Sequence, residues 1–395
     1  MPGPAGRRPP AAATAVLLLA LAAAAPARAA AAPVRGLTDA AALSHIYDRI
    51  LDADFSGAAA ALASACPPAP APACETLGVV NRWWRMALDP ENRSEDAAFS
   101  HAADAAIHAD EAWTEQEPER AEAWLYLGGA LAARVQWKVL RGQRLSAARD
   151  GVRIKDALER ALALDPSMQD AWFGIGLYHY YAAIAPLGAK ILRWLLLLPG
   201  GSRTGGLQEM LRTHSQGELL KGEADYQLHL IYLWYEHDTG EALRLLDSLR
   251  TRYPGNPLFP LQVAAVQDAY LHDHAASLAT AEQILRDAGA GHLHQPQLAE
   301  AAARLQMATE LSALGRVDDA IAALRAVVAA DPSEPYSAVA RAHLGLGTLY
   351  DRTGRHDLAA AEYRAAIDSA PADDPYHVRD RAREALAHEP PPRAH

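Results

Sequence analysis

The sequence predicts an all-α protein, built as an array of helical hairpins whose central repeats are irregular and expanded. Alanine, the residue with the highest helix propensity, is abundant, and 50% of the 395 residues are hydrophobic. No run rich in Val, Ile and Thr alternates as a strand would. Alanine and proline recur with the same spacing of 12 residues at Ala242/Pro254, Ala320/Pro332 and Ala359/Pro371.

The clearest repeat lies between His343 and Pro371. Gly347 and Ala359 are small enough to let two helices cross closely, so we expect them at a crossing point. The segment resembles a tetratricopeptide repeat (TPR). The preceding unit ends at Pro332, 39 residues earlier, which is about five residues more than the standard period of about 34.

Two further first helices carry the W-x-x-L/I-G start of such a repeat, at Trp124–Gly128 and Trp172–Gly176. Each start lies six residues after a proline, and the two are separated by 48 residues, so this unit is expanded. The resemblance implies hairpins that stack into a solenoid with a long concave surface.

A second resemblance covers roughly residues 120–260. After Pro186 come an apolar run, Ile191–Leu198, and a Gly-rich turn that leads into Gly206-Leu207. The order is similar to the TPR family of the yeast mitochondrial inclusion-body clearance protein and its animal relatives, which implies an interaction protein. The apolar run is interpreted as a buried central helix. It is too short to span a membrane, so the alternative is that it docks on a membrane surface.

The N-terminus has the layout of a secretory signal. Arg7 and Arg8 precede an apolar stretch, and Ala27-Arg28-Ala29 supplies small residues for cleavage. We therefore expect a periplasmic or secreted protein of the bacterial cell envelope, without a transmembrane span after cleavage. The alternative is a membrane anchor, although the stretch is short for one.

These features divide the chain into five predicted segments. Trp83-Trp84 is expected in the core of the second one. The segments are a signal peptide at 1–29, N-terminal hairpins at 36–118, an expanded TPR-like unit at 119–260, C-terminal TPR repeats at 261–387 and a disordered tail at 388–395.

The two cysteines, Cys66 and Cys74, flank a Pro- and Ala-rich link. Nearby thiols at the two ends of a loop usually pair in an oxidising compartment, so we predict a disulfide. The alternative is a pair of free, buried thiols.

The charge distribution contains one local exception. The net charge of −11 becomes −14 when the signal and its three arginines are removed, which argues against nucleic-acid binding. Residues 134–155, however, carry a net charge of +6. Two interpretations remain open: the basic heads pair with acids such as Glu218 and Glu223 in a structural role, or the segment is an anion-recognising patch. The candidate residues are Arg134, Lys138, Arg141, Arg149 and Arg153.

The central unit is also rich in Tyr and Trp, which are common at interfaces. We expect Tyr226 and His229 to share a helical side that faces the concave groove, and Tyr178 and Tyr181 to contribute to binding. The alternative is that most of these aromatic residues form core between repeats.

No cofactor or metal site is predicted. His272-Asp273-His274 and His292-Leu293-His294 lack a third ligand at a fixed spacing. Glu236-His237-Asp238 is interpreted as a solvated turn, and the glycines at 200–206 lack the order of a phosphate-binding loop. Catalytic motifs such as G-x-S-x-G and H-E-x-x-H are absent from the sequence.

The predicted function is a scaffold, not an enzyme. It would bind a protein or peptide partner, and the basic segment points to an anionic one. The alternative is an envelope hydrolase or a lipid- or polysaccharide-modifying enzyme that uses the central insertion. A cleft with a His–carboxylate pair would favour the enzyme. The sequence leaves the partner's identity and the oligomeric state open.

Overall fold

A computed structural model describes residues 32–185 and 200–387. The predicted signal peptide, the C-terminal tail and the apolar run Ile191–Leu198 lie outside these ranges. The described residues from Pro33 onward belong to one compact unit.

Helices dominate the part of the chain that the structure describes. Its one β pairing is an isolated bridge between Val34 and Arg120. The all-α prediction is therefore confirmed. No helix in these ranges is long and apolar enough to cross a membrane. The helices are α1 Ala40–Leu51, α2 Phe55–Ala65, α3 Ala71–Leu88, α4 Asp96–Gln116, α5 Ala121–Leu140, α6 Arg144–Leu164, α7 Ala171–Ile184, α8 Arg203–Gln216, α9 Lys221–Ile231, a π-helix Tyr232–Glu236, α10 Thr239–Arg252, α11 Leu258–Ala269, α12 His274–Gly289, α13 Pro296–Ala313, α14 Val317–Ala330, α15 Ala338–Arg352, α16 His356–Ser369 and α17 Val378–Ala387.

Acidic and hydroxyl side chains define several helix starts. Asp54, Ser202, Asp238 and Asp273 each accept a hydrogen bond from a backbone N–H in the first turn of α2, α8, α10 and α12. These bonds satisfy amide donors that the helix itself leaves unpaired. The short polar turns between hairpins therefore fix where each helix begins.

The recurring small residues lie where helices cross. Ala242, Ala320 and Ala359 are buried in α10, α14 and α16. A Cβ atom added at Gly347 of α15 would lie 2.5 Å from the ring of Tyr363 in α16. The close crossing expected at Gly347 and Ala359 is therefore present, and the hairpin prediction is confirmed.

The same relationship recurs in the expanded region. A Cβ atom at Gly128 of α5 would lie 2.6 Å from Leu158 of α6. A Cβ atom at Gly176 of α7 would lie 2.7 Å from the carbonyl oxygen of Gly206 in α8. The glycines of the W-x-x-L/I-G starts thus let each first helix approach the second helix of its own hairpin.

The N-terminal helices α1 and α3 pack on the side of the array formed by the first helices α5, α9 and α11, which we call the first-helix face. Trp84 of α3 is buried against Tyr226 of α9 and Phe259 of α11, with ring centroids 4.8 and 6.2 Å apart. Asn256 donates a 2.7 Å hydrogen bond to the carbonyl oxygen of Leu51 at the end of α1. The core expected at Trp84 therefore joins the N-terminal helices to the repeats.

Cys66 and Cys74 form a disulfide, as predicted, with Cα atoms 6.6 Å apart. The bridge links the end of α2 to the first turn of α3. Of the predicted segment boundaries, residue 118 falls between α4 and α5, and residue 260 falls in the first turn of α11.

Candidate functional site

The basic heads at the end of α5 contact acids of this chain. Arg134 donates two hydrogen bonds of 2.9 Å to the carboxylate of Asp150 in α6 and one of 2.6 Å to Asp104 in α4. Lys138 donates to Asp150 at 2.7 Å. Asp150 is buried, so the two cations neutralise an acid inside the α4–α5–α6 contact.

The electrostatics of Asp150 agree with this pairing. Burial raises the pKa of its carboxyl, but hydrogen bonds from Lys138 and Arg134 outweigh burial and leave the pKa below its usual value. Asp150 is therefore ionised at neutral pH, and it holds both basic side chains against the protein.

Arg141 has a comparable role. Its guanidinium donates two hydrogen bonds to Asp96 at 2.7 and 2.9 Å and two more to the carbonyl oxygens of Pro90 and Asn92. The side chain is almost fully buried and fastens the end of α5 to the loop before α4.

Two other basic side chains of the segment, those of Arg149 and Arg153, are more accessible. Arg153 pairs with Glu111 while staying partly exposed, and Arg149 is exposed. Among the described residues, the basic side chains of the segment do not pair with Glu218 or Glu223, the acids considered as partners from the sequence; Glu223 instead accepts a 3.4 Å hydrogen bond from Gln136. The acids of α4 and α6 take that position instead, because α4 packs beside α5.

The other candidate residues are distributed between core and surface. His229 is fully buried, and burial lowers its pKa to about 4, so its ring is neutral at pH 7. Its predicted position on an open groove is wrong, because α1 and α3 cover that side of α9. Tyr226 is half-buried against Trp84, and Tyr178 is half-buried with the Lys155 ammonium 6.0 Å from its ring centroid.

Tyr181 packs against Tyr235, and the residue before Tyr235 in the π-helix, Trp234, is also an exposed aromatic; we call these three residues the aromatic platform. The three side chains are 37%, 51% and 38% exposed, respectively. The rings of Tyr181 and Tyr235 pack edge to face with centroids 5.7 Å apart. The platform thus joins the last turn of α7 to the π-helix that follows α9. Trp234 and Tyr235 were not among the predicted site residues, and their place in the Tyr- and Trp-rich central unit is the one sequence signal that points to them.

A network of hydrogen bonds and one ion pair holds the π-helix next to the platform. The hydroxyl of Tyr180 donates to Glu236, and Arg203 at the start of α8 donates two bonds of 2.8 Å to the same carboxylate. Arg203 also donates to the carbonyl oxygen of Tyr235 at 2.9 Å. These contacts, led by the Arg203 hydrogen bonds, lower the pKa of Glu236. A charged anchor at Glu236 therefore fixes the π-helix, an element often found at functional sites.

Other exposed apolar side chains follow the same edge of the array. Nine of the ten large ones in the described ranges lie at or within a few residues of the turns that join a first helix to its second helix. Single exposed apolar residues are common on protein surfaces. Here they are concentrated at the turns within hairpins, which makes this edge of the array suited to contact with a partner. They are Val139, Leu145, Tyr181, Trp234, Tyr235, Tyr270, Leu271, Leu314 and Leu358.

Pairs of histidine and carboxylate do not single out a catalytic cleft. His179 contacts Glu209 at 2.8 Å, and His343 contacts Glu362 at 2.6 Å, each within its own hairpin. Such pairs recur between the two helices of more than one hairpin. A His–carboxylate pair therefore does not distinguish an enzyme from a scaffold here.

Two of three comparisons relate the chain to known proteins. The third, with curated protein sequences, gives no match. Among solved structures, it is similar to a chain of the APC/C hetero-tetramer Cut9-Hcn1, with 14% identity and a TM-score of 0.46 over 88% of this chain and 55% of that one. It is also similar to yeast Tom70, with 13% identity and a TM-score of 0.41 over 80% of this chain and 64% of that one. A third is human IFIT1, crystallised as a dimer with m7Gppp-AAAA, with 13% identity and a TM-score of 0.38 over 89% and 86% of the two chains.

The chain thus spans about half to two thirds of the first two structures that it resembles. The sequence comparison is more local. Residues 305–374, which hold the end of α13, α14, α15 and α16, match the tetratricopeptide repeat family. This stretch includes the repeat between His343 and Pro371, so the match supports the resemblance of that segment to a tetratricopeptide repeat.

Proposed function

We propose that this chain is an exported scaffold that binds a protein or peptide partner in the bacterial cell envelope. Helical repeat arrays typically present extended binding surfaces, and TPR repeats are typical of protein-interaction scaffolds. The signal-like N-terminus and the Cys66–Cys74 disulfide support an oxidising compartment. The resemblance of residues 120–260 to the clearance-protein family is consistent with a binding role.

The observation that carries the proposal is the aromatic platform. The first-helix face of α5, α9 and α11 is covered by α1 and α3, so a partner needs another surface. The platform offers three exposed aromatic side chains beside the ion pair of Arg203 and Glu236, which lies at the protein surface. Rigid aromatic side chains with a polar tip are frequent anchors at protein interfaces. Arg149 and Arg153 could contribute to contact with an anionic partner from the exposed side of α6.

Site-specific photo-crosslinking in intact cells tests this role. A photoreactive residue at Trp234 should give one dominant adduct in the envelope fraction, whereas the same residue at the exposed Ala329 of α14 should give none. Tyr181→Ser combined with Tyr235→Ser should abolish capture of that adduct's partner by the purified chain. Val34→Ala removes an apolar side chain of similar exposure that does not lie on this edge, and it should leave capture intact.

Melting temperatures of all the variants should stay close to that of the wild type, since the changed side chains are exposed. Equal adducts at both crosslinking positions, or capture that survives loss of the platform, would refute the proposal. Recovery of the chain only in the cytoplasm would refute the envelope location while leaving the binding surface standing.

A further inference from the structure

We propose that Asp268, His274 and Glu310 form a binding site for a divalent transition-metal ion of the Zn²⁺ class. Asp268 lies in the last turn of α11, His274 is the first residue of α12, and Glu310 lies in the last turn of α13. The three side chains therefore come from two successive hairpins. One ligand atom from each of them lies within 4.8 Å of the other two.

The distances are close to those of a coordination shell. The Nδ1 atom of His274 lies 2.8 Å from Oε2 of Glu310 and 3.2 Å from Oδ1 of Asp268. Metal bonds of about 2.0–2.2 Å in tetrahedral geometry place ligand atoms about 3.4 Å apart. Small side-chain rotations are therefore enough to open the group around an ion.

Glu310 is held in place for this role. Its side chain is fully buried, and the Ser277 hydroxyl donates a 3.0 Å hydrogen bond to its Oε1 atom. The amide of Gln306 donates to the same oxygen. These donors leave Oε2 directed at His274. Hydrogen bonds to a ligating carboxylate typically orient it toward a metal.

Charge also favours a divalent ion. Two carboxylates meet at one imidazole, and a protonated ring can neutralise only one of them. A divalent cation neutralises both, which matters most for the carboxylate that is removed from water. A nitrogen ligand beside two oxygens suits Zn²⁺ and related ions better than Mg²⁺ or Ca²⁺, which prefer oxygen alone. The half-exposed ring of His274 leaves a path for the ion and room for water as a further ligand.

The turn before α12 brings the first two ligands together. His272 adopts a left-handed conformation with φ of 53°, and its N–H donates to the carbonyl oxygen of Asp268 at 3.1 Å. Asp273 then caps α12, which places His274 in the first turn. The H-x-H sequence did not reveal this group, because His272 is not one of its three residues and Glu310 comes from the following hairpin.

Calorimetric titration of the purified full-length chain, after treatment with a chelator, tests the site. We expect one ZnCl2-binding event per chain and none with MgCl2. His274→Ala and Asp268→Asn should each weaken Zn²⁺ binding at least tenfold. Both residues are partly exposed, so these variants should fold. The matched control is His343→Ala, which removes the histidine of a pair with one carboxylate, Glu362, and should leave binding unchanged.

CoCl2 gives a spectroscopic readout of the same site. The wild type should show the visible absorption of a four- or five-coordinate ion, and the two ligand variants should lose it. Failure of the wild type to bind Zn²⁺ overturns the proposal. Binding that His274→Ala and Asp268→Asn leave unchanged also overturns it, since the ion would then sit on other surface histidines. If His343→Ala weakens Zn²⁺ binding as much as the two ligand variants do, the weakening reflects disturbed folding, and the proposal is also overturned.

Discussion

The indole Nε1 atom of Trp84 donates a 2.9 Å hydrogen bond to the carboxylate of Glu223, which lies 139 residues further along the chain. The hydroxyl of Tyr47 donates to the same oxygen at 3.1 Å. Glu223 is buried, so helices α1, α3 and α9 converge on one acid inside the protein. The N-terminal helices are therefore part of the core of the repeats and not a separate module.

Contacts further along the chain extend this arrangement. The backbone N–H of Tyr336, in the linker between α14 and α15, donates to both carboxylate oxygens of Asp89 at 3.0 and 2.9 Å. Arg85 pairs with Glu334 in the same linker. The segment that follows α3 thus touches the last repeats, while α1 touches the middle ones. A partner that inserts along the first-helix face would have to displace these helices.

The first prediction concerns the ionisation of Glu223. Burial raises the pKa of its carboxyl, and the hydrogen bonds from Trp84 and Tyr47 only partly offset that rise. A carboxyl with a higher pKa in the folded than in the unfolded protein favours folding most when it is protonated. Its contribution to the free energy of unfolding therefore decreases as the pH rises above the unfolded pKa of about 4.3. The Glu223→Gln variant lacks this titration. Its free energy of unfolding should therefore increase relative to that of the wild type as the pH rises above about 4.3.

Urea unfolding between pH 4 and 8 measures this difference. The matched control is Glu115→Gln at an exposed position of α4, which should follow the wild type at every pH. A constant difference between Glu223→Gln and the wild type would show that Glu223 does not titrate differently on folding.

The second prediction compares two helical glycines. A Cβ atom at Gly347 would collide with the ring of Tyr363, whereas a Cβ atom at Gly151 of α6 would meet nothing within 4 Å. Gly347→Ala should therefore destabilise the protein by about 1–3 kcal/mol through overpacking. Gly151→Ala should stabilise it by about 0.5–1 kcal/mol, because alanine favours the helix. Denaturant titrations decide, and a stabilising Gly347→Ala would contradict the close crossing.

The third prediction concerns export and oxidation. The mature chain should begin near Ala30 and carry the Cys66–Cys74 bridge, whose residues are eight positions apart. Closing so short a loop should contribute about 2 kcal/mol on a chain-entropy estimate. Intact-mass analysis of the periplasmic fraction reports the N-terminus, and alkylation without reductant reports free thiols. Two modified cysteines, or a mass that includes the first 29 residues, would count against it.

Local features of the sequence were enough to predict the helical hairpins. Gly347 and Ala359 mark a crossing because a helix pair can approach only where its side chains are small, and that constraint is visible within one repeat. The pairing of Cys66 with Cys74 is equally local. Positions in one hairpin can therefore be inferred from spacing alone.

Contacts between distant segments could not be inferred in this way. Nothing near His229 in the sequence shows that α1 and α3 will cover α9 and bury it. In the same way, Arg134 and Lys138 form a basic stripe on an isolated helix, but their acids come from the helices on either side. The partners of a charged side chain depend on which helices become neighbours in the fold. The spacing of residues along the sequence does not reveal these neighbours.

The last prediction tests whether that basic stripe supports the fold. Removing both cations in the double variant Arg134→Ala with Lys138→Ala leaves Asp150 buried without its main partners. We expect a loss of about 3 kcal/mol in unfolding free energy, the magnitude typical of a broken buried ion pair. The loss should shrink as the pH falls, because the buried, unpaired Asp150 of the double variant is protonated more readily than the paired Asp150 of the wild type, whose pKa is lowered.

Arg149→Ala provides the matched control, since this side chain belongs to the same basic segment but is exposed. Its unfolding free energy should stay within about 0.5 kcal/mol of the wild type. Restoring charge balance in a triple variant, with Asp150→Asn added to the double change, should recover part of the lost stability, because no buried carboxylate then remains unpaired. If the double variant instead melts like the wild type while partner capture falls, Arg134 and Lys138 serve binding and the structural interpretation fails.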